Sequence, residues 1–250
     1  MSKRVLALEI STGKYHDFIE KIVELSYNRS SSYVCVANVH MCIEAHQHPD
    51  FQNIVNSADL VTPDGMPLVF ALKMLYGIDQ HRVAGMDLLP DLLKIASQQE
   101  LKLFFYGGTD EMLDNTKAYI CKNYPGLEHA HFCSPPFRKL SNAEENEIVA
   151  KINESEANIV FVALGCPKQE RWMFKMKGKV NACMIGIGGA LPVMIGMQKR
   201  APLWMQKSGL EWLFRLSQEP KRLFKRYFIT NSLFIYLFLK EYVGRRLIHK

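Results

Sequence analysis

Short apolar runs alternate with stretches of helical periodicity along most of the chain. Residues 5–10 read as a strand, and 16–27 place Phe18, Ile22, Val23 and Leu25 at the spacing of an amphipathic helix. Residues 32–38 are rich in β-forming side chains and lead into a helical stretch from Val39. A short strand over 59–62 runs into a turn at Asp64. Two helical segments follow, 68–75 and 86–99, joined by a loop over 79–85 that carries Arg82. Then come a strand over 102–106, the loop Gly107-Gly108-Thr109, a helix over 111–123 and a strand over 127–133. Beyond Ser134-Pro135-Pro136-Phe137 a helix opens on Ser141-Asn142-Ala143-Glu144, a capping-box pattern. The continuous apolar run 158–164 has the character of a buried parallel strand. After Gly165-Cys166-Pro167 a helix begins near Lys168, and 181–187 forms a last strand ending in Gly188-Gly189.

Strands alternating with helices predict an α/β fold: a Rossmann-like, mostly parallel sheet with helices on both faces. Such a sheet gathers its loops at the carboxyl ends of the strands. Asn38, Asp64, Gly107, Gly108, Phe137, Gly165 and Gly188 are therefore predicted to share one rim. The character changes at Lys199, so the α/β domain is expected over 1–198 and a basic, amphipathic helical appendage over 199–250.

Charge sharpens that division. The 250 residues carry a net +6, yet residues 201–250 alone hold 10 Lys and Arg against 3 Asp and Glu. The rest of the chain is close to neutral, so the tail is the part expected to meet an anion such as a phosphate-bearing ligand or lipid headgroups. The six cysteines include no CxxC pair, and Cys35, Cys42 and Cys183 fall in apolar runs, as reduced core thiols would. The first residues lack the apolar length of a signal peptide and no uninterrupted apolar run could span a bilayer, which predicts a cytoplasmic protein.

Candidate chemistry sits at the strand exits. In Thr62-Pro63-Asp64-Gly65-Met66-Pro67, Pro63 fixes one backbone angle and Gly65 permits a positive one, which turns the chain and frees the Asp64 carboxylate from the sheet. The same residues also suit a plain Asx turn or helix cap. Gly107-Gly108-Thr109 before a helix offers backbone N–H groups to a phosphate, or forms only a tight turn. Gly165-Cys166-Pro167-Lys168-Gln169-Glu170-Arg171 puts charged and amide side chains in the first turn of a helix beside a buried strand end. Solvent alone could satisfy such charges, but a basic and amide cluster at that rim is what a sugar or diphosphate would need. Gly188-Gly189 is a further place of close backbone approach.

No Asp-x-Asp is present, and His46, His48, His129 and His131 lack partners at ligand spacing, so no metal and no cofactor is expected. In the tail, Arg215, Arg222 and Arg226 fall on one stripe if the helical pieces either side of Pro220 stay coaxial. Lys221, Lys225, Arg226 and Phe228, with the apolar run 232–239, suit a helix lying in a membrane interface or one packed on the core with its charges in water. No nucleic-acid motif accompanies the charge.

Thr62-Pro63-Asp64-Gly65-Met66-Pro67, Arg82-Val83-Ala84-Gly85-Met86-Asp87, Gly165 to Glu170, Gly188-Gly189-Ala190, Lys199-Arg200-Ala201-Pro202 and Gly209-Leu210-Glu211-Trp212 occur in order. Together they resemble the WecG/TagA/CpsF family of bacterial glycosyltransferases from about Asn38 to Tyr227. The resemblance implies inverting, metal-independent transfer of a sugar, N-acetylmannosamine or a related hexose, from a UDP-sugar. The acceptor implied is an undecaprenyl-diphosphate-linked saccharide at the inner face of the cell membrane, in cell-surface polysaccharide synthesis. It further implies Asp64 as general base and Arg82 and Gln169 as substrate-binding residues. Phe137 would stack on the uracil, and C-terminal helices would dock on the bilayer and close the site with Arg215 and Arg222. Asn38, Gly107, Gly108, Gly165, Lys168, Glu170, Gly188 and Gly189 complete the expected substrate-binding set.

Two positions depart from the pattern. Val36 stands where the family often has Thr, and Pro192 where many members carry Asp. Those departures define an alternative, a catalytically inactive, nucleotide-binding, membrane-associated protein. A dinucleotide-dependent enzyme is disfavoured, because no GxGxxG follows the first strand. Association between protomers is left open.

Overall fold

A computed structural model describes residues 1–248. Six parallel strands form its central sheet: β3 (Ser32–Ala37), β4 (Leu60–Pro63), β5 (Leu103–Tyr106), β6 (His131–Cys133), β7 (Ile159–Val162) and β8 (Cys183–Gly186). They lie in the order β4-β3-β8-β7-β5-β6. Because successive side chains on a strand point to opposite faces, each strand feeds two cores. Tyr33, Cys35, Phe104, Tyr106, Val160, Val162 and Met184 face one cluster, and Val34, Val36, Leu103, Phe105, Ile159, Phe161 and Ile185 the other.

The second cluster is closed by α1 (Tyr15–Asn28), α5 (Gly85–Gln99), α6 (Asp110–Asn123) and α9 (Ala190–Met194). The first is closed by α2 (Val39–Gln47), α3 (Pro49–Asn56), α4 (Met66–Tyr76), α7 (Asn142–Glu154) and α8 (Lys168–Met176). The predicted capping box starts α7, with Ser141 accepting from the Glu144 amide and Glu144 from the Ser141 amide. The α/β architecture is therefore as predicted.

Three details differ. The run 5–10 is not one strand of the sheet but part of an antiparallel hairpin, β1 (Ser2–Val5) with β2 (Leu8–Ser11), reversed at Leu6 with φ 53°. The predicted strand 127–133 shortens to β6. In the tail, α10 (Leu203–Lys207) and α11 (Glu211–Gln218) precede α12 (Pro220–Ile248), and Glu219, at φ −132° and ψ 58°, breaks the helix between the last two. Arg215 therefore lies on a different helix from Arg222 and Arg226.

The tail packs on the α/β body. Leu223 and Phe234 are buried, and Phe234 joins the first core cluster with Leu233, Leu237 and Phe238 against it. Glu241 accepts from the Leu6 amide at 3.2 Å, and Arg245 donates to the Tyr76 hydroxyl at 2.8 Å. Among the described residues no helix is long and apolar enough to cross a membrane.

Candidate active site

The turn after β4 is tied down on both sides. The Asp64 amide donates to the Ala37 carbonyl at 2.8 Å, which carries the β3–β4 pairing one residue past the strands. On the other side the Val83 amide donates to Pro63 O at 2.9 Å, and the Thr62 hydroxyl donates to Val83 O at 3.0 Å. Those two bonds bring the neighbouring Arg82 to Asp64. Gly65 follows without a side chain, and a Cβ there would lie 3.8 Å from Asn38. Asn38 caps α2, its side chain accepting from the Met41 amide at 3.2 Å.

Arg82 is the hub of the charges that surround this turn. Its Nη1 donates to Glu211 Oε2 at 2.6 Å, and its Nη2 donates to Asp87 Oδ2 at 2.9 Å and to Gln206 Oε1 at 3.3 Å. Arg200 donates to the other Asp87 oxygen and to Gln206 at 3.2 Å. The Arg82 and Glu211 side chains are each only 16% exposed, so this pair is poorly screened by solvent. Glu211 and Gln206 come from α11 and α10, and Arg82 and Asp87 from the α/β body, so the network fastens the tail over the rim.

Arg215 is placed differently. Its guanidinium stands against Gly189, where any Cβ would overlap it, and among the described residues it makes no hydrogen bond or ion pair. It is thus a cation held by shape, at the strand-end glycine pair, with its donors free. Asp64 lies within electrostatic reach of Arg82, Arg215, Glu211 and Asp87. Burial, followed by the Glu211 charge, pushes its carboxyl up to about 7, against the opposing pull of Arg82 and Arg215 and with Asp87 adding to the rise. A carboxyl poised there can accept a proton near neutral pH.

Gln169 reaches the same rim from α8. Its Oε1 accepts from the Gly165 amide at 3.1 Å, and its amide end fills the space beside Gly186 and Gly188 that a Cβ would take. Glu170 departs from the predicted set, because with 0% exposure it cannot touch a substrate. It faces inward, accepts from Gln169 Nε2 at 2.7 Å and lies beside Cys166. Lys168, at the start of α8, is exposed.

The glycine pair Gly107-Gly108 sits at the end of β5, four inter-strand steps or about 19 Å from the end of β4. Both glycines have positive φ, and Gly107 closes on the Ala163 backbone, so no larger residue fits there. Phe137 stands 87% exposed on the loop that follows β6. Arg222 is exposed and pairs with Glu219. Lys221, Lys225 and Phe228 face outward on α12, whereas Arg226 turns inward: its Nε is buried without a partner, and its charge helps lower the pKa of His40, which is chiefly lowered by burial.

Asp87, Gln206 and Glu211 were not among the predicted site residues. Asp87 and Glu211 both lie inside the motifs quoted above, and the signal was their position next to Arg82 and before Trp212. Val36 is packed in the core against Gly85, and Pro192 lies within α9. Among the described residues, no group of three or more His, Cys, Asp or Glu side chains gathers as a metal site.

The chain matches the model of the "Glycosyl transferase WecG/TagA/CpsF family" over residues 3–247. It is 32% identical over 224 residues to an N-acetylglucosaminyldiphosphoundecaprenol N-acetyl-beta-D-mannosaminyltransferase of Bacillus spizizenii, covering 88% of this chain and 85% of that protein. A Staphylococcus aureus protein of the same name is 28% identical over 222 residues, with the same coverage.

Proposed function

Since the chain belongs to the WecG/TagA/CpsF family and is a glycosyltransferase, we propose that it moves an N-acetylmannosamine-type sugar from a UDP-sugar to a saccharide linked to undecaprenyl diphosphate. The names of the relatives supply the acceptor and the transferred sugar. The observation that carries the reading is the poised Asp64 carboxyl at the exit of β4, ringed by Arg82 and Arg215.

In this reading an acceptor hydroxyl attacks the anomeric carbon from the face opposite the diphosphate. The new C–O bond forms as the bond to UDP breaks, the proton passes to Asp64, and the anomeric centre inverts. The leaving diphosphate carries the electron pair. Arg215 is assigned to its developing charge, because its donors are free where both Nη atoms of Arg82 are engaged. No metal ion is assigned a part. The backbone at Gly188-Gly189 lines the sugar, with the buried Gln169, both ends of its amide engaged, supporting it from behind, and Phe137 offers an open ring to the base. The outward face of α12 rests on the inner surface of the membrane, where the lipid-linked acceptor lies.

The test is incubation with a panel of UDP-sugars and a short-chain lipid-diphosphate N-acetylglucosamine, with mass analysis of the product. Transfer is expected for wild type. Asp64→Asn is expected to lower it by about 10²–10⁴ while donor binding by calorimetry stays measurable. Undiminished turnover of Asp64→Asn removes Asp64 from the role. No product from any donor, with a UDP-sugar nonetheless bound, would favour the inactive nucleotide-binding alternative.

A further inference from the structure

Glu211 is a carboxylate with no part in the chemistry just described, yet it lies in the middle of the site. It comes from the first turn of α11, in the tail, while its partner Arg82 comes from the loop before α5. The contact is short and largely shielded from water. Both terminal nitrogens of Arg82 are engaged by protein acceptors, so that arginine is clamped between Glu211, Asp87 and Gln206 rather than presented to a ligand. Asp64 is the remaining carboxyl within reach of this clamp.

We infer that Glu211 is a positioning residue for the proposed transfer: by fastening Arg82 to the tail at 2.6 Å, it keeps that arginine from turning to Asp64, the group proposed to take the acceptor proton. The inference rests on the reading of Asp64 as the base. The physical reason is that two carboxylates sharing a poorly solvated site disfavour each other's ionisation, while a free arginine beside Asp64 would favour it. Without Glu211 both effects act in the same direction. The repulsive charge goes, and Arg82 loses its 2.6 Å partner and can turn to Asp64. The charges that act on Asp64 are Arg82 from the loop, Asp87 from α5, and Glu211 and Arg215 from α11. Only the last two arrive with the tail, so seating α11 sets the base as well as covering it.

The experiment is a ¹³C carboxyl NMR titration of the full-length chain, with Asp64→Asn used to assign the signal. Wild type is compared with Glu211→Gln and Glu211→Asp, and circular dichroism reports the fold of each. The Asp64 midpoint is expected to fall by roughly one pH unit or more in E211Q. E211D retains the charge and is expected to stay near wild type. The acid limb of the transfer rate against pH is expected to move with the NMR midpoint. An unchanged Asp64 midpoint in folded E211Q overturns the inference, as does an equal fall in E211D. An E211Q chain that loses its native fold also overturns it, because Glu211 would then be a strut of the fold. The titration needs no turnover. If Asp64→Asn proves fully active, the assignment of the base fails while the coupling of the two carboxylates is still measured.

Discussion

Glu170 shows how a single side chain can carry a pH dependence that its sequence neighbours conceal. It is fully buried, one oxygen accepts from Gln169, and Oε2 has no partner. Burial pushes its carboxyl up to about 7 from an ordinary 4.5. The folded chain therefore binds this proton more tightly than the unfolded chain does. The stabilisation is fully present below the unfolded value and is lost as pH rises through the folded value near 7. Glu170→Gln is expected to reduce the loss of stability between pH 5 and pH 8 by about 2 kcal/mol, measured by urea unfolding at the two pH values. Asp64, displaced in the same direction, leaves a residual slope in that variant. An unaltered slope would show that Glu170 stays ionised inside the fold. The placement of Asp64 at the exit of β4 and of Gln169 in the first turn of α8 was legible in their motifs. Glu170 was not, since an acidic residue in a first helical turn ordinarily meets water, and only the packing of α8 against β3 and β8 turns it inward.

At the scale of elements, apolar periodicity located every strand of the central sheet and most of the helices, because buried parallel strands are continuous apolar runs and the covering helices are amphipathic. It failed at Leu6, where the first hairpin reverses without a glycine or proline to mark it, whereas the break in the tail, at Glu219, is marked by the adjacent Pro220. That break separates Arg215 from Arg222 and Arg226 and leaves Arg215 alone against Gly189 at the start of α9. Gly189 has φ −75°, which any residue adopts, so Ala there brings no backbone strain. Its methyl would displace the guanidinium instead. Gly189→Ala is expected to lower the transfer rate roughly 10²-fold, the scale of a lost transition-state donor, with stability changed by about 0.5 kcal/mol or less. Steady-state kinetics beside a thermal melt tests this, and unaltered kinetics would release Arg215 from the leaving group.

For the whole molecule, the basic tail is the part whose position sequence could not supply, because a basic amphipathic helix suits a membrane surface and a protein surface alike. On α12 one face is packed on the body and the opposite one is open. Leu223 and Phe234 are buried against the body, while Phe224, Phe228, Ile235 and Leu239 are about half exposed or more. At 100° per residue these four fall within about 60° of arc, with Lys221, Lys225 and Arg246 on the same side, over a length of about 35 Å from Phe224 to Leu247. An apolar, aromatic strip with cations at both ends, on a helix too polar to cross the bilayer, fits one lying in the plane of an anionic interface. Deleting residues 203–250 would test this poorly, since it also strips Phe234 from the core and Glu211 and Arg215 from the site. Replacing Phe224, Phe228 and Ile235 together by Ser leaves those contacts in place. Sedimentation with phosphatidylglycerol vesicles is expected to weaken at least tenfold in the triple variant, which loses several buried-area increments of over 1 kcal/mol each. Wild-type binding is expected to fall with added salt, as screening of the lysines and arginines requires. Transfer to a short-chain, water-soluble acceptor should persist, because the rim and its charge network are untouched. If vesicle binding is unchanged, the strip serves a protein surface instead, and the lipid-linked acceptor must reach Asp64 by another route.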